Sequence, residues 1–463
     1  MERCDVLIVG AGTAGAYFGW KMALKGFSVI LLEKDEREEV GKRLDVFHID
    51  SVKWEEFGIP SPQPGDPDLI CVLQEGTSLS PSGNYPKVVQ YPFHIMRLTP
   101  FLNRMFRLAE DAGARLEFSC TVTELIDDDG RVSGVRTKRN GSQMEFRARL
   151  IVDASGKAAV IRTALPPEYG VETFELKPEE QFYVMLRYIQ WKNPEDASTI
   201  GPVKTPFYPV TCTSVGWTHY KSWVAPSSDP GGAIIGIGAT RSYEHAEEVF
   251  REFSDRIALP SYEISRFERG RTPYRRPPYS VVGDAFLCLG DSACITKPFS
   301  GEGVTAAWTL CTIAVEVSAR ALESEGPVSR EKLWGINVSY FRGQGAKFAG
   351  MLATLPGAAN TTRKENEYLF RKDVIFSEED FTDMNRDFEM HLTFGKLLRI
   401  AWWILWGLVT GNYSFPNVRA MLRSVVISGK VREHYERFPE NPADFEAWVR
   451  DAEDLWARVG TME

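Results

Sequence analysis

The chain has 463 residues, enough for more than one core, and its 43% hydrophobic and 25% charged residues are typical of a folded globular protein. Lys and Arg total 54 against 63 Asp and Glu, so no basic footprint for nucleic acid is expected. Seven cysteines, at 4, 71, 120, 212, 288, 294 and 311, show no Cys-x-x-Cys spacing; they read as reduced thiols, and no metal site is expected.

The first apolar run, Asp5 to Val9, begins within a few residues of Met1. That leaves no room for a cleavable signal and gives the expectation of a cytoplasmic protein, at the inner face of a membrane if it meets lipid at all. Gly10-Ala11-Gly12-Thr13-Ala14-Gly15 follows, then helical spacing from Ala14 to Lys25, a stop at Gly26, and a second buried strand from Ser28 to Leu32 ended by Glu33. This is a βαβ unit. Residues 60 to 93 are rich in Pro, Gly and Ser and read as inserted loops and strands. Helical spacing resumes over Thr99 to Asp111, followed by a hairpin turn at Asp127 to Gly130 and a strand, Leu150 to Val152, ending in Asp153-Ala154-Ser155-Gly156. Alternating segments such as Phe182 to Tyr188 and Ala233 to Gly238 predict an antiparallel sheet between about 175 and 274. A buried strand at Ala285 to Leu289 leads through Gly290-Asp291 to Lys297-Pro298-Phe299-Ser300-Gly301-Glu302-Gly303, and a helix is predicted from Val304 to Leu322. Beyond Trp334 the pattern is mainly helical.

In Gly10-x-Gly12-x-x-Gly15 the first glycine allows a tight turn, the second lets backbone approach a pyrophosphate, and the third permits close packing of helix on strand. Glu33, at the end of the second strand, is placed to accept hydrogen bonds from ribose hydroxyls. The acid argues against a 2′-phosphate there. Asp291, also at a strand end, can hold ribityl hydroxyls, and a helix starting at Val304 can turn its first N–H groups to an isoalloxazine, whose reduced form is negative. The two segments together point to FAD. Asp153-Ala154-Ser155-Gly156, with Arg162 after it, reads either as an ordinary capped turn or as part of the same site.

The order of these three segments resembles flavoproteins built on the p-hydroxybenzoate hydroxylase plan, and within them the geranylgeranyl reductase family, over roughly residues 1 to 320. The Lys-Pro-x-Ser-Gly-x-Gly spelling after Gly-Asp carries the resemblance. It implies an FAD site formed by Gly10, Gly12, Thr13, Ala14, Gly15, Glu33, Lys34, Arg43, Arg97, Val122, Asp153, Gly156, Asp291, Pro298, Gly301, Gly303 and Val304. It further implies a lipid-lining segment at Tyr220 to Pro226, with Tyr220, Trp223 and Pro226 standing where the family has Tyr-x-Trp-x-Phe-Pro; the aromatics Phe207, Tyr208, Trp217, Tyr220 and Trp223 read either as an apolar wall above the flavin or as sheet-core packing. The match is inexact, since Ala225 replaces the Phe and Tyr220 is displaced by one position. The cysteine-glycine pair often found after the first helix is absent, and Gly41-Lys42-Arg43-Leu44-Asp45 stands there.

The expected architecture is α/β. A discontinuous Rossmann-like FAD domain (1–58, 94–174 and 275–333) carries an inserted antiparallel-sheet substrate domain (59–93 and 175–274), and a mainly helical region follows (334–463). The resemblance implies an FAD-dependent reductase of double bonds in an isoprenoid lipid or quinone chain; with no dedicated nicotinamide domain expected, the electron donor is read as transiently docked NAD(P)H or a ferredoxin- or flavodoxin-like protein. No second dinucleotide motif is read, because Gly236-Ile237-Gly238 lies within the antiparallel region. The alternatives are a monooxygenase or halogenase on the same cofactor plan, for which Lys87 is the lysine candidate, and a flavin electron carrier without catalysis at a membrane surface. His48, His94 and His219 are candidate proton donors. The apolar run Ile400 to Val409, with Trp402, Trp403 and Trp406, is half the length of a spanning helix and reads as buried core, as substrate tunnel or as a peripheral membrane contact.

Overall fold

The computed structural model describes residues 1–459 except 129, 194, 196–202, 210–218, 228, 230, 257, 299, 359–360 and 375–376. Its first sheet runs Val282–Gly283, Phe286–Cys288, Ser142–Asp153, Glu2–Val9, Val29–Leu32, Arg115–Glu117. All neighbours from Phe286–Cys288 onward are parallel, with Val6 opposite Val29 and Ile8 opposite Val152. Val6, Leu7 and Ile8 are fully buried, as central parallel strands covered on both faces must be. Helices Thr13–Leu24, Leu98–Asp111 and Val304–Glu323 pack together beside this sheet. A hairpin of Thr121–Asp128 and Arg131–Arg139 is attached antiparallel to Ser142–Asp153.

The second sheet runs Tyr262–Pro273, Gln181–Trp191, Gly232–Thr240, His219–Pro226, Val203–Pro209, Leu69–Ser78, Lys87–Arg97, Val46–Asp50. Val46–Asp50 and the whole of Lys87–Arg97 belong to it, so the division between the sheets falls inside segments 1–58 and 94–174. The pairing explains this: Val46 lies opposite Arg97 and Asp50 opposite Phe93, which ties both chain segments to one sheet edge. A helix not expected from the alternation, Tyr243–Arg256, covers the back of this sheet. Its Val249 and Phe253 pack with Met185, Ile189, Val224 and Ile237.

The C-terminal region is helical, as expected, but it serves two cores. Phe445–Trp456 joins the core of the first sheet through Trp448, whose ring centroid is 4.7 Å from Phe438 and 5.8 Å from Tyr279. Phe394–Val409 packs Ile404 on a separate small core with Tyr368, Leu369, Val374, Tyr413 and Val418. Only its inner side is covered: Trp402 is 59% and Trp406 46% exposed. Burial of the whole Ile400 to Val409 run is therefore corrected, and none of its residues lines the cavity described below. No helix among the described residues is long and apolar enough to cross a membrane. Cys4, Cys71, Cys120, Cys288, Cys294 and Cys311 are free thiols, and Cys212 lies outside the described residues.

Candidate active site

The two sheets face each other across a cavity of about 580 Å³. One wall comes from the first sheet and its loops, with Gly12 to Ala14, Ala154, Leu289 to Asp291 and Ser300 to Thr305. The other is apolar and comes from the second sheet, with Leu73, Phe93, Phe182, Leu186, Trp223 and Ile234 among its side chains.

Glycine chemistry shapes the first wall. Gly10 has φ +102°, and a Cβ there would stand 2.3 Å from the Ala154 carbonyl oxygen; a Cβ at Gly15 would stand 2.0 Å from that of Gly10. These two positions need glycine for packing. A Cβ at Gly12 meets nothing within 4 Å, because Gly12 opens onto the cavity. It is also the N-cap of Thr13–Leu24, with no side-chain cap and no acid in the first turn. Gly303 caps Val304–Glu323 with the same two features. Two helix starts, each with the positive end of its dipole uncovered, thus reach one cavity. That arrangement fits a dinucleotide that is anionic at its pyrophosphate and again at its reduced ring. Asp291 lies in the same wall, and burial raises its carboxyl pKa to about 6 even though the Lys157 ammonium pulls it down. Hydroxyl donors from a ribityl chain would supply the solvation this carboxylate lacks.

Of the expected cofactor residues, Gly12, Thr13, Ala14, Arg43, Gly156, Asp291, Gly301, Gly303 and Val304 line the cavity. Glu33 is buried behind the glycine loop, where its carboxylate accepts from the backbone N–H groups of Ala11 at 2.9 Å and Asp35 at 3.0 Å. Lys34 is exposed and pairs with Asp35. Arg97 lies 3.7 Å from Asp45, Val122 sits in the outer hairpin, and the Pro298 carbonyl accepts from the Tyr274 hydroxyl at 2.8 Å; none of the three lines the cavity. Asp153 is the clearest departure. It is fully buried below the wall, and its oxygens take the Ser155 hydroxyl at 2.6 Å and the backbone N–H groups of Ser155, Ile161 and Arg162 at 2.8–3.0 Å. The capped-turn reading describes it.

Trp223 lines the cavity, whereas Pro226 does not. Trp217 lies outside the described residues, as does the side chain of Tyr220. Of the three histidines, His48 lines the cavity. His94 does not: its Nδ1 accepts from Trp54 at 3.2 Å and lies 2.9 Å from the Ser51 hydroxyl, and burial lowers its pKa. The His219 side chain lies outside the described residues. Lys87 is also absent from the lining; it pairs with Asp373 and sits 4.9 Å from the Phe370 ring centroid.

One group was not foreseen as a unit. His48 Nε2 lies 3.0 Å from Glu302 Oε1, and Glu302 Oε2 lies 3.0 Å from Nζ of Lys297, which is 1% exposed. Glu302 and Lys297 belong to the Lys-Pro-x-Ser-Gly-x-Gly loop, while His48 arrives from the edge strand of the other sheet. The spelling of the loop held two of the three residues, but only the strand pairing brings in the third.

A model of NAD(P)-binding Rossmann-like domains matches residues 8–45. The chain is 22% identical over 459 residues to digeranylgeranylglycerophospholipid reductase of Sulfolobus acidocaldarius, covering 98% of this chain and 97% of that one. A protein of the same name from Methanopyrus kandleri is 26% identical over 328 residues, covering 69% of this chain and 82% of that one. Among solved structures, a geranylgeranyl bacteriochlorophyll reductase-like protein from Thermoplasma acidophilum superposes with a TM-score of 0.63 at 17% identity, covering 98% of this chain and 100% of that chain. A flavin-dependent brominase superposes with a TM-score of 0.57 at 16% identity, covering 98% and 99%. The geranylgeranyl reductase likeness thus spans nearly the whole chain, including the C-terminal helices. Motifs, cavity and relatives agree on an FAD-dependent oxidoreductase.

Proposed function

We propose that the protein reduces carbon–carbon double bonds of an isoprenoid chain carried by a lipid or quinone, working at a lipid surface with electrons from NAD(P)H or from a ferredoxin- or flavodoxin-like protein. The observation that carries this reading is the cavity itself, in which two uncapped helix starts and an apolar wall enclose one space with a histidine in its lining. Reduced FAD, when bound, supplies a hydride to one alkene carbon.

The rest falls to the chain's own residues. An unactivated alkene offers no polar handle, so Phe93, Phe182, Leu186, Trp223 and Ile234 orient it by shape and exclude water. The second alkene carbon needs a proton, and His48 is the group to hold it. As imidazolium it has two ring N–H donors; the one on Nε2 is held by Glu302, and the other remains for transfer. The buried Lys297 ammonium holds Glu302 in place in turn. Lys87, tied to Asp373 away from the cavity, gives the halogenase alternative no support.

The test is anaerobic turnover of reduced, FAD-loaded protein with a polyprenyl lipid, read by product mass. We expect a gain of two hydrogens per saturated bond, and a His48→Gln variant that keeps its flavin spectrum but turns over about 10²–10⁴-fold more slowly. A strict need for oxygen, with oxygen or halogen found in the product, would overturn the reading.

A further inference from the structure

Of the 22 large apolar side chains exposed among the described residues, 11 fall between Phe394 and Val426, on two consecutive helices, Phe394–Val409 and Phe415–Glu436. On the first helix, Leu398, Trp402, Leu405, Trp406 and Val409 recur at helical spacing on the side turned away from the small core. The Trp402 and Trp406 rings are stacked with centroids 6.4 Å apart. A ridge of this size is far more than the scattered apolar residues of an ordinary surface.

The charge on the same segment is one-sided. From His391 to Arg432 there is no Asp or Glu, although the chain's average density would place about six in that length, and Lys396, Arg399, Arg419, Arg423, Lys430 and Arg432 lie within it. Lys396 is buried against Asp380, and Arg432 pairs with Glu389 and Glu436, but Arg399, Arg419, Arg423 and Lys430 are exposed around the ridge. The protein as a whole has a formal charge of −9, so this cationic patch runs against the overall balance.

We infer that this helical hairpin docks the protein onto an anionic lipid surface, with the Trp402 and Trp406 ridge entering the interface and the arginines meeting the headgroups. An apolar stripe bearing Trp, flanked by cations and too short to span, is the chemistry of a helix lying in a membrane interface. A second copy of the chain is a poorer occupant. A two-fold interface would set each patch against itself, bringing Arg399, Arg419 and Arg423 against their like, with no Asp or Glu from His391 to Arg432 to offset them. The anchoring is firm on the protein side: the Tyr368 hydroxyl donates to the Trp403 carbonyl at 2.6 Å, and Lys364 to the Gly411 carbonyl at 2.8 Å. The same short helix, Arg363–Arg371, reaches the cavity's border. Its Glu367 accepts from the Ser80 hydroxyl at 2.8 Å, two residues beyond the cavity-lining Ser78. The docking surface is thus joined by one helix to the strands that bound the cavity. The link to a lipid-borne substrate rests on the proposed reductase reading, whereas docking itself does not.

The test is flotation of the FAD-loaded, full-length protein with vesicles, without substrate. We expect binding to phosphatidylglycerol vesicles, at least about tenfold weaker binding to phosphatidylcholine vesicles or in high salt, and a loss of about tenfold or more in a Trp402→Ser/Trp406→Ser double variant whose flavin spectrum and melting temperature match the wild type. An Arg399→Glu/Arg419→Glu variant should lose the preference for anionic lipid while leaving the Trp ridge in place. Equal flotation of wild type and both variants would overturn the inference. So would a dimer, seen by sedimentation, that the Trp double variant converts to monomer. Flotation without prenyl reduction would sink the reductase reading alone, and reduction of a detergent-dispersed polyprenyl lipid without flotation would sink docking alone.

Discussion

Gly10 and Gly12 stand two residues apart in one loop and serve different ends. An alanine at Gly10 forces a Cβ against the Ala154 carbonyl and demands a left-handed backbone, so it should lower the melting temperature of the FAD-free protein and abolish FAD binding with it. An alanine at Gly12 meets no protein atom. It should leave the FAD-free protein's melting temperature within a degree or so, yet weaken FAD by about tenfold or more in a titration, because the methyl group occupies the space beside the helix start. Asp291 offers a second measurement at the same scale. Its carboxyl is raised from 3.8 to about 6 in the FAD-free fold, so the folded state holds the proton more tightly than the unfolded chain. The resulting stabilisation is complete below about pH 4 and lost as pH rises through about 6. Asp291→Asn should remove that slope and leave the FAD-free protein more stable at pH 7 by up to ~3 kcal/mol, measured by denaturant unfolding across pH 4 to 7.

At the scale of elements, the loop after Ser142–Asp153 is held by Arg162, which is 1% exposed. It donates to the carbonyls of Ser292 at 2.7 Å, Glu172 at 2.7 Å and Phe174 at 3.2 Å. One guanidinium thereby ties the Asp153 turn to the Gly290–Ala293 turn that carries Asp291. Arg162→Ala removes the donor to the buried Ser292 carbonyl and to the half-buried carbonyls of Glu172 and Phe174, and a loss of about 3 kcal/mol in unfolding free energy is expected, accompanied by weaker FAD binding although Arg162 lines no part of the cavity. In the sequence Arg162 was visible only as a residue following a turn. Its partners lie up to 130 positions away, and no local pattern encodes them.

For the molecule as a whole, what was legible divides along the range of the interactions involved. The βαβ unit, the glycine loops and the helix after Gly303 are built from neighbours in sequence, so spacing and composition were sufficient to read them. Membership of the second sheet was harder. Val46–Asp50 is joined to it by pairing with a strand more than forty residues later, and His48 enters the cavity only through that pairing. The helix Tyr243–Arg256 was hidden because it follows directly on a strong run of strand alternation. Asp153 was open for a different reason. A carboxylate at a strand end looks alike whether it faces a ligand or caps its own turn, and only the four donors around it decide. The Ile400 to Val409 run was ambiguous for a similar reason, since an apolar stripe does not state what covers it.

Gly236 and Gly238, discounted as a nucleotide motif, lie directly behind the cavity's aromatic wall. A Cβ at Gly236 would stand 1.9 Å from the Trp223 ring, and one at Gly238 2.2 Å from the Phe182 ring, so both rings lie close against bare backbone. The calibre of the chamber is therefore set from behind, by two missing methyl groups. Adding either one would push an aromatic ring forward and narrow the bore without altering the chemistry of its surface. Related chains could be tuned for thick or slender guests at positions that no guest ever touches.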